Sequence, residues 1–304
     1  MRPLIVGTRG SALAMCQTRS VQAKLQAIAP DRRFQVQTIQ AQADRDPELS
    51  LAHLGGEGVF VKELEAALMC REIDLAVHSL KDLPLEIPND LCLAAVLDRD
   101  QACDAWVSRA GELFAAVPAG ANVGTSSLRR QSQLLNRRHD LRISEIRGNV
   151  DTRLRKLDDG RYDAIVVAAC GLIRLRLQNR ITEYLDTELM VPEPGQGALA
   201  VEARAEDAEV LELLSRLDHA TTRACVESER AFLRALGGGC RVPIAAYARD
   251  DEGTLALMGR VVAADGSAKV DGLLRGSMTD PLALGSRLAA QLESQGASRL
   301  LARS

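Results

Sequence analysis

The sequence predicts an α/β protein with mostly parallel sheets, followed by a smaller α+β domain, and three observations carry that expectation. Short apolar runs of strand length alternate with helix-spaced segments through most of the chain. At 304 residues the chain is longer than one ordinary domain. The C-terminal part changes character, to one helix, three consecutive strand-like runs and a closing helical stretch.

Taken in order, Leu4 to Val6 reads as a short buried strand, and Leu13, Val21, Leu25 and Ile28 follow near helical spacing before Pro30. Phe60, Val61, Leu64, Ala67 and Leu68 hold the i, i+1, i+4, i+7, i+8 pattern of an amphipathic helix, and Asp74 to His78 supplies the next strand. From Leu91 the alternation continues through LCLAAVL, AWVS, NVGTS, LRISEIR and AIVVAA. Helices are expected after Ser126 and after Asn149, the second marked by Val150, Leu154 and Leu157. A helix near Thr221 to Ala235 ends at Gly237, Gly238 and Gly239, and VPIAAYA, TLALMGRVV and KVDGLLRG then read as strands. Polar or Pro/Gly punctuation places boundaries near Asp98 to Gln101, Val191 to Gly197 and Leu217 to Ala220.

Composition narrows the function. A 46% hydrophobic and 26% charged chain is globular, and its net charge of −3 with 3% aromatic residues offers neither a global pull on nucleic acid nor base-stacking platforms. Any anion site must therefore be local. The opening MRPLIVGTRGSALAM has an apolar run of only about four residues, too short for a signal peptide or a membrane span, so a cytoplasmic protein without a membrane partner is expected. Seven cysteines without CxxC spacing argue against a disulfide framework or a zinc site, and most are expected to be buried. His53, His78, His139 and His219 are scattered, and no metal is expected.

Two segments share one logic. Val6-Gly7-Thr8-Arg9-Gly10-Ser11 and Val123-Gly124-Thr125-Ser126-Ser127-Leu128-Arg129-Arg130 each run from a strand end through a small polar turn into a helix start. Free N–H groups and the helix dipole favour an anion there, and the arginines add forks that match a carboxylate. Arg147, Arg153 and Arg155 follow the next strand and Arg174 follows AIVVAA; in a parallel sheet the loops after successive strands gather at one edge. The competing reading is a set of solvated arginines balanced by Asp151, Asp158 and Asp159.

Asp82, in DLAVHSLKDLP, stands where a buried-looking strand ends in a polar cluster; a carboxylate there could stabilise a developing cation and relay a proton, or simply shape a turn. His78 in the same segment is expected to be a hydrogen-bonded structural side chain. Cys240 lies between three glycines and Arg241-Val242-Pro243, which puts a thiol on a loop where close backbone approach is possible; a helix C-cap followed by a buried cysteine is the alternative.

In order and spacing, GTRGSALAM, GGEGVFVKELEAAL, DLAVHSLKDLP, VGTSSLRRQSQL, RGNVDTRLRKL, YDAIVVAACGLIRL, PGQGALAVE and GGGCRVPI resemble the porphobilinogen deaminase (hydroxymethylbilane synthase) family, over roughly residues 4 to 249. The resemblance implies two periplasmic-binding-protein-like α/β domains with hinge crossings and a smaller C-terminal α+β domain. With the punctuation above, these are expected at 1–98 with 198–217, at 99–197, and at 218–304. It further implies a dipyrromethane cofactor held through a thioether at Cys240 and retained as a primer. Four porphobilinogen molecules would be joined head to tail on it with release of ammonia, and the linear polypyrrole hydrolysed free as hydroxymethylbilane.

Loss of ammonia from an aminomethylpyrrole leaves an electrophilic azafulvene with positive character at the ring nitrogen, a barrier that a carboxylate beside the pyrrole N–H lowers. The family's pattern gives this role to Asp82. Cys240, Lys81, Ser127, Arg129, Arg130 and Arg147 are then expected to bind cofactor, and Arg9, Ser11, Arg147, Arg153 and Arg174 to bind the acetate and propionate groups of substrate. A monomer is expected. The chain departs from the family at Ala41-Gln42-Ala43-Asp44 (usually Thr-x-Gly-Asp), at Glu57 (usually Lys), at Gly237 (usually Glu) and at Thr221 (usually Glu). These departures motivate a catalytically weakened paralogue as the alternative, and the α/β organisation alone would also suit a small-anion-binding module.

Overall fold

The computed structural model describes residues 2–40, 61–238 and 242–302. The chain divides into two compact units, Met1–Asp100 with Gly197–Arg223, and Gln101–Gln196 with Ala224–Ser304. Strands are numbered in chain order. The first unit holds a five-stranded sheet of β1 (Leu4–Thr8), β2 (Phe34–Thr38), β3 (Leu75–Ser79), β4 (Leu91–Val96) and β10 (Leu199–Arg204), in the order β2-β1-β3-β10-β4. β1 pairs parallel with β2 and with β3, while β10 runs antiparallel to β3 and to β4, so four strands share one direction. The second unit repeats this plan with β5 (Asp104–Ser108), β6 (Asn122–Gly124), β7 (Arg142–Ser144), β8 (Ala164–Ala168) and β9 (Glu183–Leu185), in the order β7-β6-β8-β5-β9 with β5 as the antiparallel member. Two α/β sheets with one plan, mostly parallel, are what the sequence predicts.

Period-two alternation explains why these strands are buried on both faces. In β3, Leu75 and Val77 face a core formed with Val21 and Leu25 of α1 (Ala12–Ile28), whereas Ala76 faces Leu64, Ala67 and Leu68 of α2 (Lys62–Met69). In β8, Ala164 and Val166 join the cluster around Trp106 and Leu134, while Ile165 and Val167 face Leu154 and Leu157. Leu134 lies on α3 (Leu128–Arg137), and Leu154 and Leu157 lie on α4 (Val150–Asp158). α5 (Ala169–Arg174) follows β8 directly.

The second unit also carries an antiparallel meander, β11 (Ile244–Asp251), β12 (Thr254–Val262) and β13 (Lys269–Ser277), at the three strand-like runs read from sequence. α6 (Ala208–Ser215) belongs to the first unit, α7 (Ala220–Ala235) crosses the division, and α8 (Pro281–Ser294) and α9 (Ala297–Leu301) close the chain. Phe232 of α7 and Leu284, Leu288 and Leu292 of α8 pack on Leu255 and Leu257 of the meander. Gly237 adopts φ +63°, and Gly237 N–H and Gly238 N–H donate to the carbonyls of Arg234 and Leu233. This is a left-handed helix stop, so the glycine that departs from the family pattern has a structural use here.

The expectation missed β2, β9, β10, α5 and α6. In β10, Glu202 and Arg204 are both buried, and their polarity hides a strand that would otherwise read as a continuous apolar run. β9 has three residues and too little pattern to read. The expectation that most cysteines are buried holds for Cys103, Cys170 and Cys225; Cys16 and Cys92 are half-buried and Cys70 is exposed. Burial, reinforced by Asp104, pushes the Cys103 thiol up to about 12, so it is inert as a nucleophile at neutral pH. No helix among the described residues is long and apolar enough to cross a membrane, and among them no group of three or more His, Cys, Asp or Glu could hold a metal ion.

Candidate active site

In the first unit the residues singled out lie at the C-terminal edge of the sheet. β1 ends at Thr8 and hands the chain to Arg9 and Ser11; Ser11 caps α1, its Oγ accepting from Ala14 N–H at 3.2 Å. Gly7 serves packing, because a Cβ there would stand 2.3 Å from Ile73 Cδ1. β3 runs into a single 3-10 turn, Leu80–Asp82. Leu80 and Leu83 are buried on either side, and Leu80 N–H donates to Ala198 O at 3.0 Å, so the turn is held from below while Lys81 and Asp82 stay half-exposed. That is why a Leu-Lys-Asp-Leu run presents a carboxylate at the sheet edge.

Arg9, Ser11 and Asp82 line one cavity of about 50 Å³, together with Gln17, His78 and Ser79. Gln17 Nε2 donates to Ser79 Oγ at 2.9 Å. Lys81 does not line this cavity. A larger cavity of about 290 Å³ lies by Arg109, Pro118 and Asp163 in the second unit, at the N-terminal ends of β6 and β8, and contains none of the predicted residues. Ligands of open α/β sheets bind at the carboxyl ends of the strands, so the smaller cavity is the one placed for chemistry.

In the second unit the predicted residues again follow strands of one direction. Ser127, after β6, caps α3, its Oγ accepting from Arg130 N–H at 3.4 Å. Arg129 and Arg130 are 3% and 5% exposed, and both turn inward to Asp104, which is fully buried. Arg130 Nε and Nη2 donate to Asp104 Oδ1 at 3.1 and 2.8 Å, and Arg129 Nη2 lies 2.9 Å from Oδ2. Gln196 Nε2 donates to the same Oδ1 at 2.9 Å. Burial alone would raise the Asp104 carboxyl, but the charges of Arg129 and Arg130 outweigh it and hold the group well below the usual carboxylate range. Arg129 Nη1 donates to Val191 O at 2.8 Å, while its Nε is buried without a hydrogen-bond partner among the described residues.

Arg147 follows β7 and pairs with Glu145 at 2.6 Å; Arg153, on α4, donates from Nε to Gly148 O at 2.8 Å; Arg174 ends α5. The structure thus places Arg9, Ser11 and Asp82 in one cavity, and Ser127, Arg129, Arg130, Arg147, Arg153 and Arg174 on the segments after β6, β7 and β8. Cys240, Glu57 and Ala41 to Asp44 lie outside the described residues. Sequence reasoning missed Asp104 and Gln196, which organise the arginine pair, and Gln17 and Ser79, which line the cavity. A lone Asp opening the apolar run AWV was the available signal for the first.

Comparison with known proteins fits this arrangement. The profile described as "Porphobilinogen deaminase, dipyromethane cofactor binding domain" matches residues 4–212, and "Porphobilinogen deaminase, C-terminal domain" matches 223–294. A porphobilinogen deaminase of Desulforudis audaxviator is 49% identical over 302 residues, 99% of this chain and 98% of that protein. Those of Methylobacillus flagellatus and Roseiflexus sp. (strain RS-1) are 46% and 48% identical, covering 99% and 98% of this chain and 97% and 98% of those proteins. An acid-bearing turn, arginine-rich strand ends and matches along nearly the whole length lead to one conclusion: the chain belongs to the porphobilinogen deaminase family of transferases, whose substrate is porphobilinogen and whose cofactor is dipyrromethane.

Proposed function

We propose that Asp82 is the reacting carboxylate of this transferase, with Arg9 and Ser11 holding substrate beside it. The observation that carries the reading is the single cavity shared by Asp82, Arg9 and Ser11 at the carboxyl ends of β1 and β3. There Asp82 would accept hydrogen bonds from the pyrrole N–H and offset the positive charge that grows as ammonia leaves. It would also take the proton lost when the new carbon–carbon bond forms. Arg9 presents a planar fork to an acetate or propionate arm, and the positive end of the α1 dipole behind Ser11 favours an anion.

The residues present fit a carboxylate-rich dipyrromethane. Among the described residues Arg129 Nε is buried without an acceptor, Ser127 opens α3, and Lys81 stands next to Asp82. We assign Lys81, Ser127, Arg129, Arg130 and Arg147 to cofactor carboxylates, with Arg129 and Arg130 acting from a scaffold that Asp104 holds, and Cys240 to covalent attachment. Arg147, Arg153 and Arg174 are assigned to the carboxylates of substrate and of the growing linear polypyrrole. When bound, the dipyrromethane supplies the nucleophilic pyrrole carbon to which the first unit is joined. We also infer three functional domains, 1–98 with 198–217, 99–197 and 218–304, in a cytoplasmic monomer without nucleic-acid or membrane partners.

The test is the denatured intact mass of the protein beside Cys240→Ser, before and after brief incubation with porphobilinogen. A dipyrromethane-sized excess on the parent, absent from Cys240→Ser and growing in pyrrole steps with release of ammonia, is the expected result. No excess and no growth after attempted reconstitution would refute the assignment.

A further inference from the structure

Beneath the Asp82 turn, the apolar layer between α2 and the first sheet is interrupted by titratable side chains from three elements. Glu65 of α2, His78 of β3 and Glu202 of β10 are 9%, 5% and 0% exposed. The strand register sets Ala200 opposite His78 and Glu202 opposite Ala76, so His78 and Glu202 are diagonal neighbours on the face that Ala76 turns toward α2. His78 Nε2 lies 3.1 Å from Glu202 Oε2. With Glu202 ionised its carboxylate accepts there and Nε2 donates. Glu202 Oε1 and Glu65 Oε1 are both inaccessible to solvent and meet no hydrogen-bond partner among the described residues.

Burial first, and then the Glu202 charge, raise the Glu65 carboxyl, with His78 and Lys62 opposing. On the neighbouring elements, Cys92 of β4 is raised by burial and by Glu202, and Arg223 opposes that shift. Two carboxylates and an imidazole in an apolar layer are costly to bury, and apolar side chains would fill the same space without that cost. Their place says what they are used for. His78 shares the cavity lining with Asp82, and β3 passes from His78 directly into the Leu80–Asp82 turn. A further attachment of that turn, Leu80 N–H to Ala198 O, is to the segment that enters β10, the strand of Glu202.

We propose that Glu65, His78 and Glu202 form one buried positioning unit for Asp82, in which the His78–Glu202 hydrogen bond ties β3 to β10 just before the turn and Glu65 closes the pocket around it. The inference rests on Asp82 being the reacting carboxylate. His78 borders the cavity, whereas Glu65 and Glu202 do not line it; the three act by fixing where the Asp82 carboxylate stands and how much charge lies behind it.

Glu202→Leu keeps the volume closely and removes both the charge and the acceptor of the His78 bond, and it is tested in the full-length, cofactor-loaded protein. Amide hydrogen exchange should accelerate about tenfold or more at residues 78–83 while the β11–β13 meander exchanges as in the parent. Turnover should fall about tenfold with KM within about twofold, because a displaced carboxylate impairs the chemical step more than binding. The pH profile of kcat should change shape, which a loss of core packing alone would not produce. Parental exchange at 78–83, or an unchanged kcat and pH profile, overturns the inference. Should Glu202→Leu not fold, His78→Asn removes the same bond from the other strand and is read the same way; failure of both to fold would assign the cluster to core stability and also overturn it. An active Asp82→Asn would sink the assignment of Asp82 but leave the exchange result standing, so the two failures are told apart.

Discussion

Replacing Asp104 by asparagine tests whether the arginine pair is organised by a buried anion. The substitution keeps the shape but removes the charge from a fully buried site. Arg129 and Arg130, 3% and 5% exposed, are left facing a neutral amide that offers no charge to pair with either guanidinium. Breaking a buried pair by removing one partner costs about 3–5 kcal/mol, because the remaining charge stays desolvated. At roughly 2–4 °C per kcal/mol for units of this size, the second unit should melt about 6–20 °C earlier. The pH dependence has a definite sign. The folded-state value of Asp104 is depressed, so its contribution is complete above the ordinary value of 3.8 and is lost as pH falls through the lower folded value. Calorimetry of parent and Asp104→Asn should therefore show a constant gap from neutral pH down to about pH 5, narrowing in stronger acid. A melting temperature within about 2 °C of the parent at neutral pH would refute the reasoning.

Asp82→Asn should leave the melting temperature nearly unchanged, since the side chain is half-exposed, and abolish nearly all turnover; substantial ammonia release by the variant would remove the proposed role. Gly266→Ala should destabilise by roughly 1–3 kcal/mol in urea unfolding, because Gly266 has φ +76° and a Cβ there would stand 2.5 Å from Asn136 N; parental stability would show that the turn yields. Glu65→Gln should gain melting temperature over the parent as pH rises from the ordinary 4.5, since a raised carboxyl is increasingly penalised there and the amide is not; a gap independent of pH would contradict the burial argument. Glu57→Lys should lower KM for porphobilinogen, because a lysine attracts carboxylates that a glutamate repels; equal KM would remove that reading.

The chain's local chemistry made most of the elements and several candidate residues readable. Leu80 and Leu83 around Lys81 and Asp82 announce a turn with a charged crest, and Ser11 and Ser127 announce helix starts, because capping and alternation act over a few residues. In sequence the two Val-Gly-Thr segments have the pattern of paired anion cradles. Folding adds another use for their glycines: Gly7 makes room for Ile73, and Gly124 for Tyr162 at 2.9 Å. Neither neighbour is close in sequence.

What the sequence by itself determined is the family, the alternation of strands and helices, and a carboxylate and arginines placed after strands. Tertiary structure alone decided which buried charges pair with one another. Arg129 and Arg130 read as open forks until Asp104, from a different strand, is seen to hold both, and Glu202 hides β10 in the sequence yet meets His78 across the sheet. The physical reason is range. Capping and periodicity are settled by neighbours in the chain, whereas the partner of a buried charge is chosen by the fold, and desolvation makes that choice compulsory.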